Sequence, residues 1–218
     1  MTTAHEQTGR VNQKLRTRAA IVEACRDVIR TGGPVTMPAV ARAALVSEPT
    51  AYRYFPDLTS LLNAALAGMW PSPAEALEPI VASVDPVERV GFAAEFFLHR
   101  VLSYQGAVRA MISATITRPE LAASYRPGIR FGLIDRALDP VTSILGLPAK
   151  RLAQLKNDLA AVISADALFP LTDLCQLSPD EAVSSLVRTA TTITAAATCS
   201  DSPVSSPPPS APRRPRRR

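Results

Sequence analysis

Apolar residues along this chain return every three or four positions, and nowhere does a one-on, one-off alternation persist. Leu15, Val22, Cys25, Val28 and Ile29 form the first stripe, predicting a helix from Lys14 to Thr31 that Gly32-Gly33-Pro34 ends. Leu58, Leu61, Leu62, Ala65, Leu66 and Met69 predict another from Asp57 to Trp70, and Trp70-Pro71-Ser72-Pro73 then breaks the chain. Asp85-Pro86-Val87-Glu88 combines an N-cap, a first-position proline and an acid three residues on, the pattern of a capping box. It opens a helix to about Ser103, and a second runs from Gln105 to Thr117. Residues 119–128 form a broken connection, Ile129 to Leu145 is helical, and Leu147-Pro148 begins a long helix ending near Phe169-Pro170. Ser178-Pro179-Asp180-Glu181 repeats the cap and starts a last helix to about Ala197.

Between the first stripe and Asp57 lie two helices too short to form a core alone. Thr36 caps the first, with Pro38 in its opening turn, and Val40, Ala41 and Ala44 recur at helical spacing. Ser47 caps the second, with Pro49 in its opening turn, and Pro56 stops it. Stepping 100° per residue puts Ala51 and Phe55 inward and Pro49, Thr50 and Arg53 outward, with Tyr52 on the flank. Two such helices across a tight turn are the right size to lay one in a major groove.

From Thr17-Arg18-Ala19-Ala20-Ile21-Val22-Glu23-Ala24 to Leu61-Leu62, this stretch resembles the TetR family of bacterial transcriptional regulators. The likeness is densest in Val46-Ser47-x-x-Thr50-x-Tyr52-Arg53-Tyr54-Phe55 and covers about a fifth of the chain. It implies an all-α fold, with an N-terminal three-helix helix-turn-helix DNA-binding unit and a C-terminal helical domain for ligand binding and dimerisation. By position in the motif, Thr36, Ser47, Tyr52 and Tyr54 would meet phosphates, while Pro49, Thr50 and Arg53 would approach base edges. Tyr54 is equally suited to a core. The departures from the family pattern are Leu45 in place of the turn glycine, Ala51 for a larger aliphatic, Glu48 for a lysine and Tyr54 for a histidine. Asp57 to Thr59 also lacks the usual lysine. A leucine held in a left-handed conformation costs about 1 kcal/mol.

The chain has 218 residues, room for such a unit and one further helical domain. The domains expected are a mobile arm at 1–13, a DNA-binding unit at 14–70, a ligand-binding and dimerisation domain at 71–199 and a disordered Pro/Ser/Arg tail at 200–218. The net charge of +5 equals the five arginines of that tail. Of the remainder, residues 1–60 carry +3 and residues 61–212 carry −3, the polarity of a molecule with one end facing phosphate. The tail reads either as a solvated appendage or as a nonspecific DNA-holding arm. No membrane span or signal peptide is recognisable, and a cytoplasmic protein is expected. Cys25, Cys175 and Cys199 have no metal-ligand spacing and read as buried free thiols.

Enzyme signatures are missing. With His5 in the arm, His99 is the one histidine of the folded body, and no GxSxG elbow or phosphate-cradling glycine loop accompanies it. No cofactor or metal is expected, and His99 is read as a pocket or core residue. The middle helices carry Phe92, Phe96, Phe97, His99, Tyr104, Met111, Tyr125 and Phe131, the walls that an apolar or aromatic effector needs. At helical spacing Phe92 and Phe96 also fit a plain core. Leu152, Leu155, Leu159, Val162 and Ile163, with Val183, Leu186, Val187 and Ile193, are more apolar side chains than one helix pair can bury on one side. The resemblance places a two-fold four-helix interface there, while an intramolecular core would account for about half of these side chains. The whole reads as a homodimeric repressor released from a palindromic operator by a small molecule. The alternative is an all-α binding protein or enzyme that has lost specific DNA binding.

Overall fold

The computed structural model describes residues 3–116, 119–122, 128–144 and 147–199, and among these every regular element is helical. The first helix, α1 (Thr3–Arg30), starts well before Lys14. Residues 3–13, expected as part of a mobile arm, continue it. Gly32, at φ 71°, ends the first turn after α1. Three short helices follow: α2 (Met37–Ala43), α3 (Glu48–Tyr54) and α4 (Leu58–Leu66). Asp57 caps α4 through a 2.7 Å bond from the Ser60 N–H. Gly68, at φ 76°, closes it short of the expected Trp70.

The second half opens with a single turn, α5 (Pro73–Ala76), which holds a reciprocal capping box between Ser72 and Glu75. The box expected at Asp85 does not form. Asp85 accepts from the Val87 N–H at 2.9 Å, while Glu88 takes the Ser83 hydroxyl instead. Then come α6 (Pro86–Ser103), α7 (Gln105–Ile116), α8 (Ile129–Ile144), α9 (Ala149–Val162), α10 (Ala165–Asp173) and α11 (Pro179–Cys199). The single long helix expected from Leu147 to Phe169 is two. Ile163 leaves the helical region at ψ 69°, and the Ser164 hydroxyl caps α10 through the Ala167 N–H at 3.0 Å. At Ser178 the box is complete, with Glu181 accepting from the Ser178 N–H at 2.9 Å.

Two cores result. One gathers Ile21, Cys25, Ile29, Val40, Ala51, Phe55, Leu61 and Leu62 from α1 to α4, and draws in Ala107 and Met111 of α7. The other packs α6 against α8, α9 and α11. Gly91 permits the close α6–α11 approach, since a Cβ there would stand 3.1 Å from Thr191 Cγ2. Leu155, Leu159, Ile163, Val183 and Leu186, expected as surplus for a dimer, are buried in this intramolecular core. The reason is that α6 and α8 supply the covering faces that a lone α9–α11 pair would lack. Leu152, Val162, Val187 and Ile193 stay half-buried at its edge.

Among the described residues one buried side chain is charged. Arg89 is 2 % exposed and bonds only to carbonyl oxygens: Ala137 at 3.0 Å, Arg136 at 2.9 Å, Ile80 and Ser83 each at 3.1 Å, and Val81 at 3.5 Å. Pro140, four residues after Arg136 in α8, has no N–H to offer that carbonyl. Arg89 supplies the missing donor. Burial pulls its guanidinium below the ordinary arginine range.

Candidate nucleic-acid interface

The α2–α3 pair meets at a turn built by Leu45, which sits at φ 56° with 93 % of its surface exposed. This is the left-handed position where a glycine costs nothing. Thr36 and Ser47 act first as caps: Thr36 Oγ1 accepts from the Ala39 N–H at 3.3 Å, and Ser47 Oγ from the Thr50 N–H at 3.4 Å. Ser47 and Thr50 also join through their hydroxyls at 2.9 Å. Both caps remain exposed, so each hydroxyl keeps lone pairs and the pre-set α3 start faces outward.

Ala51 and Phe55 are buried, so α3 is clamped from one side only. Its outer side presents Glu48, Pro49, Tyr52 and Arg53, with Thr50 half-buried beside them. Tyr54 is also half-buried, packed on the first core, and the Arg53 guanidinium lies 5.6 Å from its ring centroid. That contact holds Arg53 at the edge of α3 without an ion pair among the described residues. Arg42, exposed in the last turn of α2, stands beside the turn and was not singled out by the sequence. Glu48 is in the first turn of α3, where the helix dipole favours an acid. The arrangement can offer hydroxyls, a phenol and guanidinium groups to an anionic, grooved partner.

The family model described as "Bacterial regulatory proteins, tetR family" matches residues 21–65, from the first core residue of α1 to the end of α4. Over those residues the chain is similar to the TetR family. The match indicates a TetR-type DNA-binding, helix-turn-helix regulator of transcription, and the described residues are all-α. No curated protein matches the chain. No helix among the described residues is long and apolar enough to cross a membrane, and no cluster of metal-ligating side chains occurs among them.

Beyond the TetR-matched region, a cavity of about 530 Å³ opens between α4, α6, α7 and α8. Leu66, Trp70, Phe97, Val101, Tyr104, Met111, Ile112 and Phe131 line it, with Arg130 and Asp166 also at its wall. Trp70 packs at 5.7 Å from Phe97 and 6.0 Å from Tyr104, ring centroid to centroid. Of the residues proposed for an effector, Tyr104, Met111 and Phe131 are here, while Phe92, Phe96 and His99 are not among the lining residues. The cause is rotational. Phe97 and Val101 share one face of α6, which Tyr104 and the start of α7 continue into the cavity, and Phe92, Phe96 and His99 fall about 100–160° round the helix from Phe97. His99 is exposed beside Glu95 at 4.0 Å, in neither core nor cavity. Phe96 stacks under Arg100 instead. Tyr125 lies outside the described residues, as does the arginine tail. Cys25 is buried, with its thiol pushed up to about 12 by desolvation, but Cys175 is exposed, contrary to expectation, because it follows the end of α10.

Proposed function

We propose that this TetR-family chain is a homodimeric repressor whose α3 enters the major groove of a palindromic operator, and that an apolar or aromatic small molecule releases it. The one-sided clamping of α3 supports the first part: Ala51 and Phe55 anchor it while Arg53, Tyr52 and Thr50 face outward. Two-fold pairing would set two such helices about 34–36 Å apart, one turn of duplex. The α9–α11 edge with Leu152, Val187 and Ile193 is the proposed contact between protomers, in keeping with the family's habit.

The second part rests on where the cavity sits. Leu66 and Met111 line it, and both also belong to the core under α3. A molecule that fills the cavity therefore presses on side chains that position the DNA-facing unit. A ligand preferring the DNA-incompetent form about 100-fold shifts operator affinity by about 2.7 kcal/mol, and operator DNA weakens ligand binding by the same factor. The alternative function, a helical binding protein or enzyme without specific DNA binding, is separated by selection from genomic fragments. Wild-type protein is expected to enrich a palindrome. Arg53→Ala should weaken it by about 1–3 kcal/mol and broaden the selected sequence. Failure to enrich any sequence would sink the proposal, and unchanged selection by Arg53→Ala would remove its base-reading role.

A further inference from the structure

We propose that the N-terminal half of α1 is a second DNA-contacting element, a cationic rod that reads phosphates beyond the groove occupied by α3. The inference rests on the reading of α3 as the DNA-facing helix. It concerns residues that precede the TetR match, which begins at Ile21.

Three observations carry it. From Val11 to Ala20 every side chain but Thr17 is exposed, so this half of α1 packs on almost nothing in its own chain. The core begins abruptly with Ile21, fully buried. Helical residues without packing are marginal in water, and a partner that covers them would stabilise them. The charges of α1 are also sorted. Its acids Glu23 and Asp27 are held by Arg26 and Arg30, with Glu23 at 3.1 Å and 3.5 Å from the two arginines. Lys14 and Arg16 have no ion-pair partner among the described residues. Residues 3–20 contain Arg10, Lys14, Arg16 and Arg18 against Glu6 alone.

Direction completes the case. The C-terminal part of α1 is tied to α4, where Arg26 Nε donates to the Ala65 carbonyl at 2.9 Å, and just beyond α1 the Gly33 carbonyl touches α7. Going back along α1, the Arg18 guanidinium lies 4.9 Å from the centroid of Phe55, the residue that ends α3. The helix then runs on past α3 for another 15 residues, about 22 Å at 1.5 Å per residue. That is about two-thirds of a duplex turn. The N-terminal half of α1 thus extends from beside the end of α3, with Lys14 and Arg16 exposed and outside any ion pair among the described residues. A second copy fits less well: Val11 and Leu15 make a stripe of only two large apolar residues, too short for a coiled coil, and like-charged rods repel.

The test uses the full-length protein and a duplex of arbitrary sequence about 40 base pairs long, so no operator need be known. Affinity is measured by fluorescence anisotropy between about 50 and 200 mM salt. Each phosphate contact contributes about 0.9 to the log–log salt slope, so K14Q/R16Q should flatten the slope by about 1.8 per protomer engaged. Helicity should be kept, since glutamine ranks with lysine and arginine as a helix former. K150Q, removing an exposed lysine of α9, should leave the slope unchanged. An identical slope for K14Q/R16Q and wild type would overturn the rod and leave α3 untouched. No binding of the duplex by wild type at low salt would overturn the DNA-facing reading and the rod with it. A sedimentation shift in V11S/L15S with an unaltered slope would assign the stripe to a second copy, again against the proposal.

Discussion

Leu45 shows how a single residue can hold a position at a cost. At φ 56° its Cβ crowds the following carbonyl, and with 93 % of its surface exposed it gains no packing in return. Leu45→Gly should therefore stabilise the protein by about 1 kcal/mol, raising the melting temperature by about 2–4 °C. A lower melting temperature would show that the turn draws support from the leucine. Arg89 is the opposite case, a costly side chain that is fully used. Arg89→Met should destabilise by about 3 kcal/mol or more, because several buried carbonyls lose their donors together. Urea denaturation checks this, and a loss below about 1 kcal/mol would mean that water replaces the guanidinium. Asp173 gives a pH signature. The Arg109 guanidinium, at 2.6 and 2.8 Å, and then the Thr172 hydroxyl hold its carboxyl below the usual value near 3.8. Its folded form is thus the better acid, so the pair's contribution is complete above about pH 3.8 and fades as pH falls through the depressed value. Asp173→Asn should flatten the acid limb of stability against pH. A limb parallel to wild type would leave the ion pair without effect.

Among the elements, caps and breakers were readable from the sequence and the faces of long helices were not. Thr36, Ser47, Asp57 and Ser178 start helices because a short polar side chain followed by an apolar run admits few other readings. Ser164 was hidden, since a serine between Ile163 and Ala165 fits the interior of a helix as well as its start. The Asp85 box does not form because Ser83 engages both of its partners, its hydroxyl accepting from the Asp85 N–H at 3.2 Å and donating to Glu88. In α3 the inward pair Ala51 and Phe55 followed from a seven-residue helix with one proline at each boundary. In α6 the eighteen residues carry two aromatic stripes, and the sequence gives no means to decide which one meets a cavity until α7 and α8 are in place. The α9 and α11 apolar residues could be divided only by halves between a core and a dimer face for the same reason, before α6 and α8 were known to cover Leu155, Leu159 and Leu186.

At the scale of the whole molecule, the two units touch main chain to main chain. A Cβ on Gly106, the second residue of α7, would stand 2.1 Å from the Gly33 carbonyl oxygen, a backbone atom with no rotamer to yield. Gly106→Ala should cost about 1–3 kcal/mol as overpacking and loosen α7 from the α1–α4 core, seen as faster amide exchange at residues 32–33 and in the first turn of α7. A melting temperature within a degree of wild type would show the contact to be dispensable. The same contact has a kinematic meaning. With no side chains to stretch or flip at that point, a relative movement of the units is expected to turn about it rather than slide through it. The contact would then act as a fulcrum. Met111 at the cavity wall is five residues from Gly106, about 7.5 Å along α7, while Arg18 is 12 residues from Arg30 at the end of α1, about 18 Å. A push at the cavity should then be magnified about twofold where α1 passes the end of α3, and paired spin labels should show a fixed distance near Gly33 and a changing one near Arg18.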